Sequence, residues 1–253
     1  GYEPQFNPLE HGWDEFFGYI GGNVHYFNHR ELSDLHVLFQ GRLPVYRKGY
    51  MTHLITDSSI DFIERHKDKP FFLFVSHESP HFPFQGPGDE KKVIDETNWM
   101  EADAKTYVAM LENLDGEVGR VLKTLKEKNL EKETVVIFVS DNGGFAGATK
   151  HAPLRGNKGA YYEGGIRVPL IIRWPGVTKT GQVSKAPVTS SDLYPTCIRA
   201  AGLPLHPAQH RDGLDLRPVL EGAKSLDRNA LFWHYPHYHG HPSSVPSSVM
   251  RKG

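Results

Sequence analysis

Thr134-Val135-Val136-Ile137-Phe138-Val139-Ser140-Asp141-Asn142-Gly143-Gly144 sets the frame for the 253-residue chain. Six apolar or β-branched residues in a row have the composition of a strand buried on both faces, as in a parallel sheet. The run breaks at its carboxyl end into Asp-Asn-Gly-Gly, which is turn chemistry. Two further runs read the same way. Phe71-Phe72-Leu73-Phe74-Val75 follows Pro70, and Val168-Pro169-Leu170-Ile171-Ile172-Arg173 precedes the turn Trp174-Pro175-Gly176. Helical patterns separate them. Leu54, Ile55, Ile60, Phe62 and Ile63 fit an amphipathic helix over 52–66. Tyr107, Met110, Leu114, Val118, Val121 and Leu125, with Leu111 and Leu122, follow i, i+3, i+4, i+7 spacing over 103–128. A short helix is expected over 192–201, ended by Gly202. This order of helices and buried strands predicts an α/β fold, a three-layer α/β/α sandwich with a mainly parallel central sheet. Residues 1–50 are rich in Gly, Pro, Asn and aromatics and are expected to form loops with short elements.

Ligands of such sheets bind beyond the carboxyl ends of the strands. Two polar segments fall there, Ser76 to Pro83 and Ser140 to Gly144. Asp141 and Asn142 offer hard oxygen ligands of the type Ca²⁺ or Mg²⁺ prefers, although the same residues also make a plain turn. His77-Glu78-Ser79-Pro80-His81 has the H-E-x-x-H spacing of zinc proteases. That motif works on a helix, and Pro80 would cost a helix roughly 3 kcal/mol through a lost donor and a clash. A zinc site is therefore not expected. One imidazole aimed at an anion or a leaving group suits the loop better.

Leu154-Arg155-Gly156-Asn157-Lys158-Gly159, followed by Glu163-Gly164-Gly165-Ile166-Arg167-Val168-Pro169, sets one Lys among flexible glycines. A Lys ammonium is a compact charge suited to an anionic group. The segment lacks the G-x-x-x-x-G-K-[ST] spacing of a phosphate loop, so nucleotide binding is not expected. Trp233 to His241 alternates histidine with aromatics, as either a surface loop or a ligand-recognition segment.

Composition narrows the partners. With 29 basic and 30 acidic residues the formal charge is −1, which gives no reason to expect a nucleic acid or an anionic membrane surface. No apolar run approaches the roughly 20 residues of a membrane helix. Cys197 is the single cysteine and reads as a small buried residue.

Taken in order, these segments resemble the sulfatase family of the alkaline-phosphatase-like superfamily. Pro8-Leu9-Glu10-His11-Gly12-Trp13-Asp14-Glu15-Phe16-Phe17-Gly18 is similar to its P-x-x-H-G-F-D-x-F-x-G stretch. Gly49 to Asp57 resembles its next helix start, and Ser191 to Thr196 a later one. Pro70 to Pro83 resembles its strand and "PHxP" loop, and Val139 to Gly144 its metal-binding "DNG" loop. The most specific match is Leu154 to Pro169, similar to "LRGxKGxxxEGGxRVP".

The resemblance implies a sulfuric ester hydrolase acting on a small-molecule or carbohydrate sulfate ester. Asp141 and Asn142 would coordinate a divalent cation, most often Ca²⁺ in the family, with Mg²⁺ as the alternative. His81 and Lys158 would contact the sulfate or its bridging oxygen and carry the catalysis, and His237 and His239 are candidates for substrate recognition. All four groups at 81, 141, 142 and 158 are expected to meet in one anion-holding cleft. The family's nucleophile is a formylglycine made from the Cys or Ser of C/S-x-P-x-R, a motif absent from these 253 residues. The chain therefore reads as residues 1–253 of a partial catalytic domain. It is expected to start past the nucleophile segment, to reach the link to a C-terminal subdomain over 225–253, and to release no sulfate alone. Export to the periplasm or outside the cell follows from the resemblance only. The alternatives are a phosphodiesterase or phosphonate hydrolase of the same superfamily and a non-catalytic ligand-binding descendant.

Overall fold

The computed structural model describes residues 1–238 and 245–252, and the chain forms two compact units. The first comprises Gly1–Glu131 with Gly147–Thr149, the second Lys132–Ala146 with Lys150–Gly253.

The first unit begins with two 3-10 turns, Pro4–Phe6 and Pro8–His11, each opened by a proline whose fixed φ suits that position. Three short strands follow: β1 (Phe17–Tyr19), β2 (Leu38–Gln40) and β3 (Leu43–Pro44), an antiparallel sheet in that order. Residues 1–50 thus hold loops and short elements, as expected.

Helix α1 (Met51–His66) buries Met51, Ile55, Ser59 and Ile63, one stripe at fourfold spacing. The hydroxyls of Thr56 and Ser59, buried beside that stripe, donate to the carbonyls of Thr52 and Ile55 at 3.1 and 2.8 Å. Their polar atoms are therefore satisfied inside the core. Helix α2 (Ala104–Glu127) starts where the Asp103 carboxylate accepts the N–H groups of Lys105 and Thr106 at 3.2 and 2.8 Å. Two donors that no helical carbonyl could reach are satisfied there. The two helices pack on each other, with Met110 and Leu125 buried. Tyr26, Tyr50, Val37, Leu38 and Phe84 fill the rest of the core. The apolar stripe of α2 is narrower than its spacing suggests, since Leu111 is exposed.

In the second unit β4 (Val136–Val139) pairs with β5 (Leu170–Arg173), from Val136↔Arg173 to Val139↔Leu170. Three further helices follow: α3 (Glu163–Ile166), α4 (Leu193–Ala200) and α5 (Arg217–Leu220). β6 (Leu231–Tyr235) and β7 (Ser247–Arg251) pair antiparallel. The entrance to α4 is held by Asp192, which is fully buried. Its carboxylate accepts the N–H groups of Thr189 and Leu214, each at 2.8 Å, and both terminal nitrogens of Arg228. A buried charge so fully paired is tolerable. Cys197 lies half-buried on α4, and burial pushes its thiol pKa up, as befits a packing residue.

Three expectations are corrected. Residues 71–75 join no ladder among the described residues, and the side chains of Phe72 and Phe74 are 63% and 66% exposed. The Trp13 ring lies against them, at centroid distances of 5.5 and 6.2 Å. Side-chain composition marks a segment as strand-compatible, but a strand exists only where another backbone supplies its hydrogen bonds. β4 and β5, expected to be buried on both faces, are only partly buried, and they pair antiparallel. Trp233 to Tyr235, read as part of a loop, belong to β6, whose partner β7 lies on the far side of the intervening segment.

Candidate functional site

In the second unit, the loop after β4 packs directly against the loop that carries Lys158. The contact is backbone on backbone. Gly143 donates its N–H to Gly165 at 2.9 Å, Lys158 donates its N–H to Gly144 at 3.0 Å, and Gly164 donates to Arg155 at 2.7 Å. A Cβ at Gly143 would lie 1.9 Å from the Gly164 carbonyl oxygen, and one at Gly165 would lie 2.0 Å from the Ala160 carbonyl oxygen. No side chain fits there, because the obstacle is backbone that cannot swing aside. The glycines at these two positions serve close approach. This packing brings together Asp141, Asn142 and Lys158.

The Asp141 side chain is exposed, and one of its oxygens accepts the Asn142 N–H at 2.8 Å. The Asn142 amide nitrogen donates to the Gly143 carbonyl at 2.9 Å, which leaves its oxygen as the donor atom for a cation. Ser140 Oγ donates to the Asn142 carbonyl at 3.0 Å and braces the turn. Carboxylate and amide oxygens fit a hard divalent cation. Among the described residues no group of three or more His, Cys, Asp or Glu side chains gathers at a cation-sized site. Lys158 is half-buried. Burial lowers its ammonium pKa, and the Asp141 charge opposes that shift.

His81 stands on a loop of the first unit. Its N–H donates to the Glu78 carbonyl at 2.8 Å, and its own carbonyl accepts the Tyr26 hydroxyl at 2.9 Å. The ring Nδ1 lies 2.9 Å from the Phe82 carbonyl oxygen. A carbonyl only accepts, so Nδ1 carries the hydrogen of that bond. The segment 71–82 contains no helix, so the H-E-x-x-H spacing has no zinc geometry.

Two neighbours of His81 went unassigned in the sequence. His77 has both ring nitrogens buried without a hydrogen-bond partner among the described residues, and burial pulls its pKa down to about 4. Glu78 is 7% exposed and its Oε1 accepts the Thr52 hydroxyl at 2.8 Å, while Oε2 has no partner. Burial pushes its pKa up to about 7. An acid whose folded pKa lies above its ordinary value of 4.5 contributes stability that is full below that value and lost as pH rises through about 7. Glu78→Gln, neutral at every pH, is therefore expected to gain stability relative to the parent between pH 5 and pH 8. Urea-unfolding midpoints of the two proteins at both pH values check this. Because His77 is present in both proteins, its opposite pH dependence cancels in the comparison.

His237 is exposed beyond β6, its ring edge-on to Tyr235 at 5.2 Å. His239 lies outside the described residues.

The family model "Sulfatase" matches residues 1–203, and "N-sulphoglucosamine sulphohydrolase, C-terminal" matches residues 157–251. A "Sulfatase" of Formosa agariphila is 38% identical over 222 residues, covering 79% of this chain and 39% of that protein. The N-acetylgalactosamine-6-sulfatase of Mus musculus is 30% identical over 257 residues, covering 92% of this chain and 47% of that protein. The solved structure of Ps i-CgsB in complex with k-i-k-neocarrahexaose superposes with a TM-score of 0.83 at 27% identity, over 100% of this chain and 58% of that one. The chain thus spans less than half the length of these two relatives. The superposition carries the α/β class and the alkaline-phosphatase-like fold, although the described ladders are antiparallel. With the family model covering all six of the ordered motifs and both glycine-packed loops, the chain belongs to the sulfatase family.

Proposed function

We propose that this chain is part of the catalytic domain of a metal-dependent sulfuric ester hydrolase that acts on a sulfated carbohydrate. The supporting observation is the glycine-packed pair of loops that holds Lys158 beside Asp141 and Asn142. A sulfate ester repels a nucleophile with its own negative oxygens. The Lys158 ammonium offsets that charge where it builds up, and it does so at little reorganisation cost because its backbone is already fixed. Asp141 and Asn142 would hold a divalent cation, Ca²⁺ or Mg²⁺, which supplies further positive charge to the sulfate oxygens when bound. His81 Nε2 gives a proton to the departing alcohol oxygen. The nucleophile implied by family resemblance is a formylglycine formed in a C/S-x-P-x-R segment, which these 253 residues do not contain.

The carbohydrate part of the reading draws on the relatives, one named for an N-acetylgalactosamine sulfate and one solved with a neocarrahexaose. His237 and His239 belong to the reading as sugar-recognition candidates, and residues 225–253 as the link to a further subdomain. Export from the cytoplasm completes it. Among the described residues no helix is long and apolar enough to cross a membrane.

The test is ester hydrolysis by the full-length enzyme. Sulfate release from 4-nitrophenyl sulfate and from a sulfated galactosamine is expected, lost on chelation and restored by Ca²⁺. Faster hydrolysis of a phosphonate or phosphodiester than of either sulfate would replace this reading with a phosphoryl-type hydrolase. No turnover of any of these esters would leave a ligand-binding descendant.

A further inference from the structure

We infer that Tyr26 is a positioning residue for His81, setting the direction in which its imidazole delivers a proton. The inference rests on His81 being the proton donor proposed above. Tyr26 is fully buried, and its hydroxyl donates to the His81 carbonyl at 2.9 Å across 55 positions of sequence. That carbonyl belongs to the residue whose ring must be aimed. The ring itself is tied to the next carbonyl, through Nδ1 and Phe82 O. Rotation of the 81–82 backbone would therefore swing the imidazole with it.

Tyr26 is itself held on three sides. Its N–H donates to Gln85 Oε1 at 3.0 Å, its carbonyl accepts the Met51 N–H at 2.8 Å, and its ring stacks on Tyr50 at 5.0 Å between centroids. Met51 opens α1, so the hydroxyl is fixed relative to that helix. Burial and the nearby Glu78 push the phenol pKa well up, which keeps the group a donor. A buried carbonyl stripped of its donor would relax toward another partner, and such a displacement near reacting atoms is costly in rate.

Tyr50 supplies the control. It is buried as well, stacks on the Tyr26 ring, and donates its hydroxyl to the same loop four residues further on, at the Gln85 carbonyl 2.7 Å away. Loss of general stability would follow either hydroxyl, whereas loss of proton delivery follows only that of Tyr26.

The experiment compares Tyr26→Phe, Tyr50→Phe and His81→Ala in the full-length enzyme on two esters, an alkyl sulfate and 4-nitrophenyl sulfate. The alkyl alcohol needs a proton to leave, and the nitrophenol scarcely does. Tyr26→Phe is expected to lower kcat on the alkyl sulfate about tenfold, with KM and the nitrophenyl rate held within about twofold. Tyr50→Phe is expected to change neither rate by more than about twofold. Equal losses on both esters from Tyr26→Phe, or a matching loss from Tyr50→Phe, would reduce Tyr26 to a packing residue and overturn the inference. His81→Ala with full activity on the alkyl sulfate would overturn it by another route, removing the proton donor itself. If Tyr26→Phe does not fold, 3-fluorotyrosine at position 26 keeps the hydroxyl while changing its acidity. The alkyl-to-nitrophenyl rate ratio must then shift, and an unchanged ratio overturns the inference.

Discussion

His81→Ala is expected to lower kcat/KM of the full-length enzyme for an alkyl sulfate by about 10²-fold or more, the scale of one lost proton donor. The ring of His81 is oriented by the hydrogen bond between Nδ1 and the Phe82 carbonyl. That bond uses Nδ1, and the proposed role assigns delivery of the proton to Nε2. An alkoxide is a poor leaving group, so the barrier carries the full cost when no acid stands ready. For 4-nitrophenyl sulfate the cost is small, and the loss should shrink accordingly. Parallel kinetics on the two esters therefore separate a missing acid from a damaged fold. Equal losses on both would point to folding, and parental rates on both would remove His81 from the mechanism.

Lys158→Ala should cost about 10²- to 10³-fold in kcat/KM on both esters alike, as expected for losing one group that stabilises developing charge. Here the leaving group is irrelevant, because the charge in question sits on the sulfate oxygens. Burial lowers the Lys158 ammonium pKa, so in the parent the rate should fall toward alkaline pH earlier than an ordinary lysine would dictate. Lys158→Arg stays protonated and should lose that alkaline limb. Its activity should nevertheless remain depressed, since a planar fork cannot occupy the space of a point charge. A pH–rate profile of the three proteins reads both effects. An alkaline limb that survives in Lys158→Arg would assign it to another group.

Much of this molecule was legible before any coordinates. α1 and α2 lie within a residue or two of where periodicity places them, because helical hydrogen bonds close over four residues and their determinants are local. The short elements of residues 1–50 and the helix near residue 195 were equally visible. The residues of the proposed site were recognisable as chemical types: oxygen-bearing side chains at 141 and 142, an ammonium among glycines at 158, an imidazole in a proline-rich loop at 81. The segment 71–75 misled because apolar composition is shared by a paired strand and by an extended segment without a ladder. Glu78 and His77 were weighed only as part of an H-E-x-x-H spacing, because a sequence carries no record of which polar side chains are buried.

The order of residues alone established the family, the helices and the inventory of reactive groups, since each depends on neighbours close along the chain. The tertiary structure alone decided that β4 and β5 run in opposite directions, that Gly143 must lack a side chain so that two loops can touch, and that a hydroxyl 55 positions away grips the backbone of His81. Those facts arise from contacts between distant segments, where the exclusion of one atom by another and the reach of a hydrogen bond act through space.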